Sequence, residues 1–394
     1  MTRLLFVHDH RFFRDETGSV FTSGSLPSGI WDRYLEDADS VRVIGRDGGL
    51  LPPDANYAHA GHQDVSFELI AGASYTELIL GSKRVRDRVR SEVEACDVAV
   101  VRLPSELGFI AAAECRRARK PYAVEMVGCA WDAMINHGSW SAWFYAPLFR
   151  YRTRQALRRA PLVLYVTSNW LQQRYPTGGK AYAASDVEIA PMSEPETQGR
   201  QARLRRIADG QPPVLGTVAS LRIRSKGIQT ALATLAELRR QGIELRYRVL
   251  GPGDPAPWQA EAESHRVADL VSFDGIRPAG EGVRQWLDGI DIHLQPSFQE
   301  GLPRATVEAM SRGVACIGST CGGIPELIPP ERLHQPGDVA GLANRIRSLA
   351  TDPAALGQAS RHDLETARRY QPERLAKIRS QFLDELVEAA NAAR

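Results

Sequence analysis

Long apolar runs are missing from this sequence of 394 residues. Nowhere do ~18 apolar residues follow one another, so no membrane-spanning helix is expected and only peripheral membrane contact stays open. The N-terminal MTRLLFVHDH is too short for a signal peptide and reads as a first β-strand. Cysteine is scarce. The five residues, Cys96, Cys115, Cys129, Cys316 and Cys321, are odd in number and fit no zinc spacing. Reduced, buried thiols in a cytoplasmic protein follow as the expectation. Neither sign of charge dominates: 49 Lys and Arg against 47 Asp and Glu leave a net charge of +2, which argues against a nucleic-acid binder. No solenoid period is present. No G-x-G-x-x-G follows the first strand, so no NAD site is expected there.

What is there is the composition of a globular protein, 43% hydrophobic and 24% charged, long enough for two or three domains at ~150 residues each. Short apolar, β-branched runs fall at 4–7, 41–44, 98–101, 123–127 and 162–166, then at 214–218, 247–250, 270–273, 292–294 and 314–317. Continuous apolar runs suit strands buried on both faces of a parallel sheet. Helical patterns lie between them. After Gly227, for example, Ile228, Ala231, Leu232, Leu235 and Leu238 form one apolar face. Alternation of this kind in both halves predicts two α/β domains. The polar, proline-flanked stretch 193–213 reads as the linker. A last amphipathic helix follows Pro372, with Ile378, Phe382, Leu383 and Leu386 apolar.

The most informative segment is QPSFQEGLPRATVEAMSRG, residues 295–313. Pro303 suits a first helical position and Gly313 a C-cap, so a short helix is predicted over 304–312, just past the carboxyl end of a strand. Ligands of open α/β sheets bind at such ends, and a helix N-terminus suits a diphosphate. Glu300 precedes this helix and Glu308 lies within it. Five helical residues, from 303 to 308, span roughly 7.5 Å, the scale of a diphosphate. Ionised carboxylates only accept hydrogen bonds, so paired hydroxyls are good partners for them.

E-GLPRATV-E after a strand–Pro–Ser loop resembles the motif of the family 4 (group 1) retaining glycosyltransferases of the GT-B fold. GVACIGSTCGGIPELI resembles that family's next strand and Gly-rich turn, and GTVASLRIRSKGIQTAL its phosphate-binding loop. The resemblance covers about 214–330 well and the N-terminal half loosely. It implies an α/β fold of two Rossmann-like domains facing each other across a cleft. The N-terminal, acceptor-side domain would be 1–192, the linker 193–213, the donor-binding domain 214–370, and 371–394 a helix crossing back to the first domain. It implies transfer of a sugar, with retention, from a nucleoside-diphosphate sugar to a hydroxyl acceptor: a polysaccharide, a lipid-linked glycan or a small molecule. No cofactor and no metal are expected, because Lys, Arg and helix N–H groups can stabilise the diphosphate leaving group.

Carried over residue by residue, Glu300 would hold the donor sugar and Glu308 the ribose. Gly301, Leu302 and Thr306 would contact sugar and phosphates, and Lys226 would neutralise the diphosphate. The family's usual arginine five residues before this lysine is replaced by Leu221. Arg224 or Arg222 would substitute, with Arg224 preferred. Arg277, in FDGIRP, matches the base-binding loop. Gly24 and Ser25 are candidates for an N-terminal phosphate loop, with ordinary turns as the alternative. In VEMVGCAWDAMINHG, His137 best matches a histidine near the anomeric centre, and Asp132 and Asn136 accompany it on the acceptor side. Two basic runs, 83–90 and 150–159, read first as solvated helix faces and second as contacts for anionic lipid at the inner membrane face. Trp140, Trp143, Phe144 and Tyr145 suit a core, an acceptor patch or a membrane patch equally. A sugar-nucleotide epimerase of the same fold and a non-catalytic nucleotide- or carbohydrate-binding protein are the alternatives. Base, sugar, acceptor and oligomeric state are not legible.

Overall fold

The computed structural model describes residues 2–23, 26–53, 57–72, 75–136 and 139–393. It divides into two compact units, Met1–Ala184 with Leu375–Arg394, and Ser185–Arg374. Each is built on a twisted sheet.

The first unit carries nine strands among the described residues: β1 (Arg3–Arg14), β2 (Val20–Thr22), β3 (Ser40–Leu50), β4 (Ala58–His59), β5 (Val65–Ile70), β6 (Val98–Leu103), β7 (Tyr122–Met126), β8 (Leu162–Tyr165) and β9 (Lys180–Ala183). Seven are parallel, in the order β5-β3-β1-β6-β7-β8-β9, while β2 pairs antiparallel with the far end of β1 and β4 with β2. The second unit has β10 (Leu215–Val218), β11 (Tyr247–Leu250), β12 (Val271–Phe273), β13 (Ile292–Gln295), β14 (Ala315–Ser319) and β15 (Leu333–His334). These are all parallel, in the order β12-β11-β10-β13-β14-β15. Renumbered within each unit, the parallel sheets read 3-2-1-4-5-6-7 and 3-2-1-4-5-6, the doubly wound order whose switch point lies between its first and fourth strands.

Buried apolar side chains explain the elements. Val98, Ala99, Val100 and Val101 of β6 are all fully buried, as are Ala315, Cys316 and Ile317 of β14. Such strands have helices on both faces. The helix Ile228–Arg240 turns Ile228, Ala231, Leu232, Leu235 and Leu238 into the second core. No described helix is long and apolar enough to cross a membrane. The free cysteines are buried except Cys321, which is half-buried.

β1 runs past the apolar run 4–7 to Arg14, because Phe12 is fully buried against Phe67 and the strand end pairs with β2. One expectation needs correction. The stretch 193–213 is not a linker. It forms the helix Glu194–Ala208, started by a Ser193/Glu196 capping box and belonging to the second unit. Its buried anchor is an arginine. The Arg200 guanidinium donates to the carbonyls of Arg312, Ile290 and Leu287 at 3.0, 2.8 and 3.2 Å. Those bonds satisfy carbonyls left over where helices end. Asp132 lies on a short helix, Ala130–Ile135. The last helix, Pro372–Ala393, buries Phe382, Leu383 and Leu386. Phe382 meets Tyr182 edge-on, and Lys180 pairs with Glu385, so most of this helix groups with the first unit.

Candidate active site

The switch point of the second sheet lies between β10 and β13, and the loops leaving their carboxyl ends are pressed together. Gly227 has φ +80°, and a Cβ there would fall 2.0 Å from the Pro296 carbonyl oxygen. Only glycine tolerates both the left-handed backbone and that approach. The Phe298 N–H donates to the Ser225 carbonyl at 2.7 Å across the same seam. Sequence neighbours of these contacts, Lys226 and Glu300, are thereby brought side by side. The Lys226 ammonium donates to Glu300 Oε1 at 2.7 Å, and the Lys226 side chain is 27% exposed while that of Glu300 is 8% exposed.

Glu300 is held by more than lysine. Gln295 Nε2 and Ser297 Oγ each donate to the same oxygen, Oε1, at 2.8 Å. The orientation of the Gln295 amide follows from its other end. Its Oε1 accepts from Thr306 Oγ1 at 3.2 Å and lies 3.1 Å from His293 Nε2. His293 is fully buried, and burial holds its pKa down to about 4, so it is neutral with Nε2 as the donor. The result is a buried relay, His293 and Thr306 to Gln295 to Glu300. Oε1 of Glu300 takes every bond the described residues offer, and Oε2 takes none of them. One carboxylate oxygen is clamped and the other is free to accept.

The backbone behind Glu300 is fixed as tightly. Gly322 has φ +60°, and a Cβ there would lie 2.2 Å from the Glu300 carbonyl oxygen. Gly323 N–H donates to Gly301 O at 2.7 Å, and Ser319 Oγ donates to Ser297 O at 2.6 Å. The helix beyond spans Arg304–Ser311, with Pro303 as its N-cap rather than its first helical residue. Proline supplies no capping side chain, so the first-turn N–H groups have no side-chain acceptor. Glu308, on this helix, is half-buried; Ser311 Oγ donates to its backbone carbonyl at 2.7 Å, while its carboxylate takes no hydrogen bond from the described residues. Burial raises its pKa first, with Glu188 adding to the rise and Arg304 opposing it.

The remaining candidates sort differently. Gly301 is half-buried and Leu302 buried beside Glu300. Thr306 is fully buried with its hydroxyl on Gln295, which corrects the expectation that it reaches a phosphate. Arg224 is engaged elsewhere: it pairs with Glu261 at 3.2 Å and lies 4.9 Å over the Trp258 ring. Arg222 is exposed, and so is Arg277. In the first unit, Asp132 pairs with Arg174 at 3.3 Å, and Asn136 caps its own short helix by donating to Asp132 O at 2.9 Å. Both side chains therefore have structural employment. Tyr145 points inward and donates to Glu106, apart from its exposed aromatic neighbours. Gly24, Ser25 and His137 lie outside the described residues. Gln295, Ser297 and His293 were missed by sequence reasoning. Their signal was the polar tail of an otherwise apolar strand, I-H-L-Q, where alternate residues leave the core pattern.

A doubly wound sheet with a lysine, a clamped glutamate and an uncapped helix at its switch point has the arrangement in which open α/β sheets bind ligands, and its charge suits an anion. Residues 212–352 match the model of the family described as glycosyl transferases group 1. The chain is 29% identical over 349 residues to Protein CapJ of Staphylococcus aureus, covering 87% of this chain and 85% of that protein. It is also 29% identical over 210 residues to the putative colanic acid biosynthesis glycosyltransferase WcaL of Salmonella typhimurium, covering 50% of this chain and 49% of that one. Among solved structures, sucrose-phosphate synthase from Thermosynechococcus elongatus superposes with a TM-score of 0.70 at 17% identity, covering 99% of this chain and all of that one. Anabaena HepE in complex with UDP gives 0.68 at 16% identity, over 98% of this chain and 100% of that one. Residues 212–352 thus form a domain similar to the group 1 glycosyl transferases, and the chain has the GT-B fold of two Rossmann-like domains.

Proposed function

We propose that the protein moves a sugar from a nucleoside-diphosphate sugar to a hydroxyl acceptor, with retention and without a metal ion, in the manner of family 4. The observation that carries this reading is the pairing of Lys226 with Glu300 beside an uncapped helix N-terminus. Breaking the glycosyl–phosphate bond leaves charge on the distal phosphate. Lysine and helix N–H groups stabilise that charge more in the transition state than in the ground state, which is what accelerates the step. When the diphosphate arrives, Lys226 exchanges part of its contact with Glu300 for phosphate oxygen. Oε2 of Glu300 then accepts from the donor sugar's hydroxyls. Glu308, half-buried and unpartnered, accepts from the ribose, and Arg277 sits by the base. Gly301 and Leu302 contribute backbone N–H groups. Of the two arginines, Arg222 is free to assist Lys226.

The likeness to WcaL, a putative colanic acid biosynthesis glycosyltransferase, and to HepE, solved with UDP, supports a polysaccharide setting and a uridine diphosphate sugar as the first donor to try. Screening nucleotide sugars for thermal stabilisation and slow hydrolysis finds the donor without knowledge of the acceptor. In the same assay Glu300→Ala should lower turnover at least about a hundredfold while nucleoside diphosphate affinity changes little, as expected for a group that positions the reacting sugar. A chelator should leave the rate unchanged. Undiminished turnover in the variant, or an epimerised nucleotide sugar with no nucleotide released, overturns the proposal.

A further inference from the structure

The helix Trp140–Arg158 of the first unit is apolar on both sides. One side does what a core helix does: Ala142, Ala146, Phe149, Ala156 and Leu157 are buried, and Phe149 meets Phe109 edge-on at 5.5 Å. The other side faces solvent with residues that water does not favour. Trp140 is 79% exposed, Trp143 61%, Phe144 80%, Leu148 48% and Tyr151 60%. Only Leu50, Ile223 and Ile276 join them as large apolar side chains so exposed among the described residues, and those three are scattered. Trp140, Phe144, Pro147 and Tyr151 follow one another at spacings of four, three and four, which is one meridian of a helix. From Trp140 to Tyr151 the stripe runs about 16 Å. A concentrated apolar stripe on a monomer's surface marks an interaction site.

The charge of the helix selects the partner. It carries Arg150, Arg152, Arg154 and Arg158, ends on Arg159, and contains no Asp or Glu. Arg152 is spent inward on Glu106 at 2.7 Å. Arg158 and Arg159 are exposed, and Arg158 continues the meridian of the aromatic stripe one helical repeat further on. A two-fold contact between copies of the chain would lay this acid-free, arginine-bearing face against itself. An anionic bilayer meets both halves. Aromatic side chains sit at the headgroup–acyl boundary, and arginine reaches the phosphates.

We propose that this face docks the protein onto an anionic lipid surface, with Trp140, Trp143, Phe144, Leu148 and Tyr151 sunk into the interface and Arg158 and Arg159 on the headgroups. The proposal stands apart from the donor chemistry and does not depend on it. The test is co-sedimentation of the full chain with vesicles of equal parts phosphatidylcholine and phosphatidylglycerol, against phosphatidylcholine alone, with tryptophan emission followed in parallel. Wild type should pellet with the anionic vesicles, shift its emission to the blue, and release as salt rises. The double variant Trp140→Ser, Phe144→Ser should bind at least about tenfold more weakly with its thermal unfolding unchanged, since neither side chain belongs to the core. Arg158→Gln should weaken binding about fivefold and flatten the salt dependence. Undiminished binding by the double variant overturns the proposal, as does equal binding to neutral vesicles. So does a wild type that ignores vesicles and forms a dimer which the double substitution dissolves.

Discussion

The two sheets share a strand order and differ at the spot where that order makes a ligand crevice. In each, a helix follows the fourth strand of the 3-2-1-4 array. In the first unit this helix, Glu106–Arg117, is sealed by the protein itself. The Asp9 carboxylate accepts from the N–H groups of Glu106 and Leu107 at 2.6 and 2.8 Å, and Ser105 Oγ accepts from Gly108 at 3.0 Å. Glu106 is wholly buried between Tyr145 and Arg152. In the second unit the corresponding helix begins at a proline with no capping side chain. The adjacent carboxylate, on Glu300, has its first oxygen clamped by Lys226, Gln295 and Ser297 and its second unused. An internal carboxylate caps one helix N-terminus, and no side chain caps the other. Topology nominates both crevices, and the identity of a few side chains decides which one stays open.

Acid has the largest expected effect, through histidines in both units whose pKa values burial lowers. His293 in the second is held to about 4, chiefly by burial, whereas an unfolded histidine titrates near 6.5. The folded state therefore binds fewer protons than the unfolded one. Stability contributed by neutral His293 is complete above pH 6.5 and is lost as pH falls toward about 4, a loss on the order of 3 kcal/mol. His8 and His10 of the first unit, pushed down by burial and by Arg102, to about 3 and about 4 respectively, act in the same direction. Replacing His293→Asn isolates the second unit's share. Thermal unfolding followed from pH 7 to pH 4 should fall less steeply in the variant, and parallel curves would show that His293 is not the titrating group.

Asp9→Asn attacks the comparison from the other side. An amide cannot accept from both backbone N–H groups without placing its own NH2 against one of them, so the helix loses its seal. The expected cost is about 2 kcal/mol of stability, seen as a lower denaturant midpoint, with nucleoside diphosphate affinity unchanged. Glu300→Ala should instead lower turnover, again with nucleoside diphosphate affinity little changed. If Asp9→Asn weakened nucleotide binding and left stability intact, the first crevice would be a ligand site too, and the contrast between the units would fail.

How much of this was legible beforehand depends on what kind of pattern carried it. The long parallel strands were plain, because apolar runs such as Val98–Leu103 are buried on both faces. Short edge strands such as β9 and β15 have too little apolar content to register. The helix Glu194–Ala208 was invisible because its buried anchor, Arg200, reads as a solvent residue until the carbonyls it satisfies are in place. The Lys226–Glu300 pair could be nominated from motifs on two separate loops. The relay behind it could not. Gln295 and His293 are polar residues in a strand, and nothing in the sequence says that both face inward, one neutral and one orienting a carboxylate.

The smallest effect tests the choice between two arginines. Arg224 was preferred on sequence, yet its guanidinium is paired with Glu261 and stacked on Trp258 in an exposed setting. An exposed pair contributes little, so Arg224→Gln should move stability by no more than about 0.5 kcal/mol. If that pairing persists with ligand bound, the same substitution leaves nucleoside diphosphate affinity unchanged. Arg222→Gln, which removes an exposed cation from the loop after β10, should weaken that affinity about fivefold, the size of one screened charge–phosphate contact of roughly 1 kcal/mol. Calorimetric titration of both variants with the same diphosphate decides. A loss confined to Arg224→Gln would mean that the ligand pulls this arginine off Glu261, and the open site would then owe its positive charge to a side chain that swings in.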